Sequence, residues 1–103
     1  LICGLIVEGR DVPLHAGENI LGRSEDATVW VNSTKASRHH ARITVSQNEA
    51  VLEDLGSKNG TYLGDQRVEG PSPLTDGDDV SVGDIVMTFR VKRGSRSTET
   101  AAR

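Results

Sequence analysis

The sequence predicts an all-β fold, a β-sandwich of two mostly antiparallel sheets. Three observations carry that expectation. No window holds a sustained 3.6-residue apolar period, which is the mark of an amphipathic helix. Glycine is frequent, at 11 of 103 residues, and turn pairs punctuate the chain at Glu8-Gly9, Ala16-Gly17, Asn59-Gly60, Gly64-Asp65 and Asp76-Gly77. Short runs with strand character lie between these turns at regular spacing, as a sandwich requires.

The runs follow in order. "CGLIVE" opens the chain and "ENILGR" follows at Glu18–Arg23. "ARITVS" at Ala41–Ser46 alternates, with Ile43 and Val45 on one face and Arg42 and Thr44 on the other. "AVLEDL" is placed to pair with it across Gln47-Asn48-Glu49. "GTYLG" is a brief strand. "DVSVGDIVMTFRV" at Asp79–Val91 reads as a closing hairpin, turning at Gly83-Asp84, with Met87, Phe89 and Val91 opposite Val86, Thr88 and Arg90. Trp30 fits a core position and an exposed loop anchor equally.

The length suits one domain, which buries roughly two-thirds of its unfolded surface. Only 35% of residues are apolar and 3% aromatic, so the core is expected to be aliphatic. The chain opens on Leu1 rather than Met, as expected of a fragment cut from a longer protein. "LICGLIV" is too short to span a bilayer and has no basic flank or cleavage signal. The single cysteine, Cys3, makes neither an internal disulfide nor a thiol metal cage.

Charge is uneven. Residues 1–89 carry seven Lys/Arg against fourteen Asp/Glu, a net −7, while residues 90–103 carry five against one, a net +4. An acidic body argues against a nucleic-acid face. The end, "RGSRSTETAAR", has almost no apolar side chain and reads as a disordered basic tail, linker or cloning remnant over 93–103.

Ser37, His39, His40 and Asp54 hold the letters of a hydrolase triad, but the G-x-S-x-G turn is absent and so small a sandwich leaves little room for a cleft. His15, His39 and His40 are imidazoles suited to zinc, yet neighbours on a strand point to opposite faces, so His39 and His40 do not share one ion. "LGSKNGTYLG" lacks P-loop spacing, and Asp76-Gly77-Asp78 lacks that of a calcium loop. The expectation is no catalysis, no cofactor and no metal.

Three elements at strand ends instead offer cations and hydroxyls. They are "LGRSE" with Arg23, "KASRHHA" with Ser37 and Arg38, and "GSKNGT" with Lys58 and Asn59. Gathered at one edge, two guanidiniums, an ammonium, hydroxyls and an amide make a phosphate or carboxylate site.

The series "LGR…SRHHARI…LEDLGSKNGTYLG…LTDGDDVSVG" resembles the forkhead-associated (FHA) domain, over nearly the whole body from about Cys3 to Val91. The resemblance implies a sandwich of eleven strands and recognition of phosphothreonine in a partner protein by loops at one end. It implies that Arg23 meets the phosphate and steadies the loops, that the Ser37 hydroxyl bonds a phosphate oxygen, and that Arg38 and Lys58 reach the phosphate or the threonine pocket. Asn59 is implied to bond the peptide backbone, with Gly60 supplying its turn, and Gly22 and His40 to brace the loops. His39 is the variable position, and Gly64-Asp65 stands where the family often has Asn-Gly.

Blander readings stand beside these. Arg23 reads by itself as a surface arginine pairing Glu25 or Asp26, Ser37 as a turn end, Lys58 as a hairpin charge, and Asn59-Gly60 as a hairpin turn. The expectation is a phosphothreonine-binding domain over residues 1–92 in a signalling or regulatory protein, cytoplasmic and monomeric in isolation, binding neither nucleic acid nor membrane. The alternative is a phospho-independent scaffold or oligomerisation domain of the same fold. Ser97, Thr98 and Thr100 in the tail are candidate phosphorylation sites for docking in cis.

Overall fold

The computed structural model describes residues 1–92, so the expected tail lies outside the described residues. Eleven strands follow one another: β1 (Cys3–Val7), β2 (Arg10–Leu14), β3 (Gly17–Gly22), β4 (Val29–Trp30), β5 (Ala41–Val45), β6 (Ala50–Asp54), β7 (Thr61–Leu63), β8 (Gln66–Arg67), β9 (Ser72–Pro73), β10 (Asp79–Val82) and β11 (Ile85–Val91). One sheet has the order β2-β1-β11-β10-β7-β8 and the other β4-β3-β5-β6-β9. All pairs are antiparallel except β3–β4, which is parallel. Among the described residues no helix is long and apolar enough to cross a membrane.

Alternation sets the core. Ala41, Ile43 and Val45 of β5 are buried, while Arg42 and Thr44 between them are only partly so. Met87 and Phe89 of β11 are fully buried, and Val86 is 58% exposed. Leu5, Leu21, Leu52, Val80 and Val82 complete an aliphatic centre around Phe89. Truncating Phe89 to Ala is expected to cost about 3–5 kcal/mol. Asn19 is also fully buried, and its side-chain amide bonds the His15, Gly17 and Ile43 carbonyls at 2.9–3.1 Å.

The expected hairpins β5–β6 and β10–β11 are present, the second turning at Gly83-Asp84 between Val82 and Ile85. Gly64-Asp65 likewise closes β7 onto β8. The strand expected over Glu18–Arg23 ends at Gly22 instead. Arg23 leaves it because its amide bonds the Ser37 carbonyl in a crossing loop (3.0 Å) rather than a ladder partner.

The register decides where the loops meet. Leu21, Ala41 and Asp54 stand side by side across β3, β5 and β6. The β3–β4 loop, the β4–β5 loop and the β6–β7 loop therefore leave the sheet at one end. On the other sheet Val82 pairs with both Thr61 and Ile85, so the β10–β11 turn is next to the start of β7. The Thr61 hydroxyl donates to Asp54 across the sandwich at 2.7 Å, which brings that turn to the same end.

Candidate functional site

Two crossing backbones form the base of the site. Gly22 has no side chain because the 37–38 segment passes directly over it. A Cβ there would stand 2.0 Å from the Arg38 carbonyl oxygen and 3.0 Å from that of Ser37. The contact is sealed by Arg23 N–H to the Ser37 carbonyl (3.0 Å) and Ser24 N–H to the Arg38 carbonyl (3.1 Å). Arg23 is thus set beside Ser37 and Arg38, residues far from it in sequence.

His40, fully buried, braces the loops from behind. Its Nδ1 accepts the Ser37 N–H at 2.9 Å, which leaves that nitrogen without a proton. Nε2 therefore carries the hydrogen and donates to the Gly60 carbonyl at 2.8 Å. One neutral ring ties the β4–β5 loop to the β6–β7 loop.

The β6–β7 loop is shaped by Asp54. Its carboxylate accepts the Gly56 and Ser57 amides (both 3.0 Å), the Ser57 hydroxyl (2.6 Å) and the Thr61 hydroxyl (2.7 Å). Burial pushes the Asp54 carboxyl up, but these bonds outweigh it and hold the group below its ordinary value. The Ser57 hydroxyl in turn accepts the Gly60 N–H at 2.8 Å. Gly60, at φ 86°, supplies the left-handed turn that Asn59-Gly60 suggested.

The expected ligand-facing residues lie on these three loops. Ser37 Oγ accepts the Lys58 N–H at 3.1 Å, which leaves its own proton free to be donated outward. The Asn59 side-chain amide donates to the Lys35 carbonyl at 2.7 Å. Arg23 Nε donates to the Ala36 carbonyl at 3.0 Å, and among the described residues it forms no ion pair with Glu25 or Asp26. Arg23, Arg38 and Lys58 are all exposed, and so is Lys35, a fourth cation on the same loops that the sequence reading did not single out. Arg23 and Arg38 line a cleft of about 370 Å³ with Ser24, Glu25 and Asp26.

The two adjacent histidines diverge. His39 Nε2 contacts Asp26 at 3.0 Å on the surface, while His40 turns inward. The Ser24 hydroxyl first, then the His39 ring, hold Asp26 below its ordinary carboxylate value. The letters of a triad are not assembled. His40 meets the Ser37 amide rather than its hydroxyl, and Asp54 is engaged with Ser57 and Thr61. Trp30 is half-exposed at 51%, and its indole N–H donates to the Arg23 carbonyl at 3.1 Å, so it is a loop anchor.

The profile of the FHA domain matches residues 19–83. The chain is 34% identical over 90 residues to the transcriptional regulatory protein EmbR of Mycobacterium tuberculosis, an alignment covering 87% of this chain and 23% of EmbR. It is 37% identical over 71 residues to the FHA domain-containing protein FhaB of Mycolicibacterium smegmatis, covering 69% of this chain and 46% of FhaB. Among solved structures, an FHA domain studied for its phosphothreonine-dependent interactions superimposes with a TM-score of 0.84 at 33% identity, covering 89% of this chain and 98% of that one. Mycobacterium tuberculosis EmbR in complex with a low-affinity phosphopeptide gives 0.84 at 32% identity, covering 93% of this chain and 26% of that one. The chain belongs to the FHA domain family, and it spans less than half the length of both EmbR and FhaB.

Proposed function

We propose that this domain is a phosphothreonine-dependent protein-interaction module of a signalling or regulatory protein, and that it does no catalysis. The observation that carries the reading is Ser37. Its hydroxyl accepts the Lys58 amide, so its proton is free for an outside acceptor, and it stands on the loop held against Arg23. In this reading a phosphate on a partner's threonine takes the Ser37 proton and the charges of Arg23 and Arg38. Lys58 adds a further charge, and Asn59 faces the peptide backbone. Gly22, His40 and Gly60 hold the loops in place. The partner is a protein phosphorylated by a Ser/Thr kinase.

A phosphothreonine brings about −1.5 to −2 charges and three acceptor oxygens. Each bond to such a group contributes about 1.5–3 kcal/mol net. Two or three, with backbone contacts, give about −8 kcal/mol, a micromolar complex suited to reversible signalling. The test is a fluorescence-polarisation screen of degenerate peptides carrying phosphothreonine, phosphoserine or plain threonine. Micromolar binding confined to the phosphothreonine pool is expected. Binding indifferent to phosphate, with self-association on concentration, points to the scaffold reading instead.

A further inference from the structure

We infer that Asp84, on the sheet opposite the recognition loops, is a positioning residue for the phosphopeptide site. This inference rests on the function proposed above. Asp84 is in the β10–β11 turn, and Ser33 is in the β4–β5 loop of the other sheet. The Ser33 hydroxyl donates to the Asp84 carboxylate. Ser33 is only 7% exposed and Asp84 is exposed, so the bond is a half-buried bridge from the surface turn into the space between the two layers.

A hydroxyl has one proton. With that proton committed to Asp84, the lone pairs of Ser33 Oγ are fixed in direction. One of them accepts the Lys35 N–H at 3.1 Å, and the Ser33 carbonyl accepts the Ala36 N–H at 3.1 Å. The segment 33–36 is thereby folded into one shape. Two of its carbonyls are the anchors of site residues. The Lys35 carbonyl accepts the Asn59 amide at 2.7 Å, and the Ala36 carbonyl accepts Arg23 Nε at 3.0 Å. Ser37 follows directly in the chain. Arg23, Ser37 and Asn59 therefore all take their positions from a segment that Asp84 holds.

The turn itself is pressed against that segment. A Cβ on Gly83 would stand 2.8 Å from Ser33 Oγ, 3.0 Å from the Ala36 nitrogen and 3.2 Å from the Lys35 carbonyl carbon. Gly83 is also at φ 64°. The hairpin tip is therefore a buttress, and Asp84 is its polar contact. The Ser33 bond, with a smaller contribution from the Lys35 charge, holds the Asp84 carboxyl below its ordinary value.

The experiment compares wild type, Asp84→Ala, Asp84→Asn and Ser33→Ala. Affinity for one phosphothreonine peptide is read by fluorescence polarisation. Exchange of the Lys35 amide is read by NMR in the free domains. Asp84→Ala and Ser33→Ala are each expected to weaken binding about tenfold, the loss of one well-made hydrogen bond. Both are expected to speed Lys35 exchange. Asp84→Asn keeps an oxygen acceptor for Ser33 and is expected to restore most of the affinity. The double variant Ser33→Ala/Asp84→Ala is expected to bind no worse than either single one, because both remove the same link. A purely stabilising Asp84 lowers the melting temperature and leaves the folded domain's affinity and the Lys35 amide unchanged, which overturns the inference. If wild type binds no phosphopeptide, the proposed function falls. Lys35 exchange then decides alone whether Asp84 sets the loop, with unchanged exchange in Asp84→Ala overturning that too.

Discussion

His40 and Ser37 are joined through the backbone, with the Ser37 N–H donating to Nδ1 of the buried ring at 2.9 Å. The other ring nitrogen donates to Gly60 at 2.8 Å, so a single side chain spaces the two loops that carry Ser37 and Asn59. Removing it leaves two backbone polar groups without their partner and a cavity in the shape of an imidazole. His40→Ala is expected to destabilise the domain by about 3 kcal/mol. Urea unfolding checks this, through a lower midpoint at unchanged slope.

Gly22 admits no larger residue without moving a backbone. In Gly22→Ala the new methyl meets the Arg38 carbonyl oxygen at 2.0 Å, so the 37–38 segment must lift away. Arg23 and Ser37 then separate. The expected result is a loss of phosphopeptide affinity of at least about tenfold, the value of one charged hydrogen bond. Titration of a folded Gly22→Ala domain measures it, and wild-type affinity there contradicts the crossing as the source of the site's geometry.

Ser37→Ala separates stability from binding. The amide it would leave, Lys58 N–H, is at an exposed position and turns to water. The expected change in stability is therefore under about 1 kcal/mol, while the lost bond to a charged phosphate costs about 1.5–3 kcal/mol of affinity, roughly 10–150-fold. Thermal melts and peptide titrations on the same sample read the two effects.

Asp54 gives a pH dependence of known sign. Its folded-state pKa lies below its ordinary value, with burial raising it and the Ser57, Thr61 and amide bonds lowering it further. The stability it contributes is complete above the unfolded value, about pH 4, and is lost as pH falls through the lower folded value. Asp54→Asn is expected to be less stable at neutral pH and to show a flatter acid limb below about pH 4. Unfolding curves between neutral pH and pH 2 test it. An acid limb as steep as wild type places the linkage elsewhere.

Most of the fold is legible in the amino-acid pattern because several strands carry their own alternation. Ile43, Val45, Val80, Val82, Met87 and Phe89 alternate, and all six are buried. β2, as long as β5 but mostly exposed, and the two-residue strands carry none. β2 contains Pro13 and ends at Leu14, and β4, β8 and β9 have two residues each, too few for a period of two. The candidate site is legible as a set of residue types at strand ends. What escaped was contact across the sandwich. Asp54 appeared only as a letter in a failed triad, yet it orders the β6–β7 loop. Ser33 and Asp84 are 51 positions apart and meet only once the two sheets pack. Gly22 stands in the sequence as part of a motif, and the reason for it is the backbone lying above it. One proton of the Asn59 amide goes to the Lys35 carbonyl within the domain, a bond that no local signal announces.

The proposed function makes Arg23 and Ser37 a receptor for a phosphorylated threonine. Calorimetric titration of one phosphothreonine peptide and its unphosphorylated twin, into wild type and Arg23→Ala/Ser37→Ala, tests it most directly. Micromolar binding of the phosphorylated peptide to wild type alone is expected. Equal affinity of both peptides for wild type, or undiminished binding by the double variant, contradicts it.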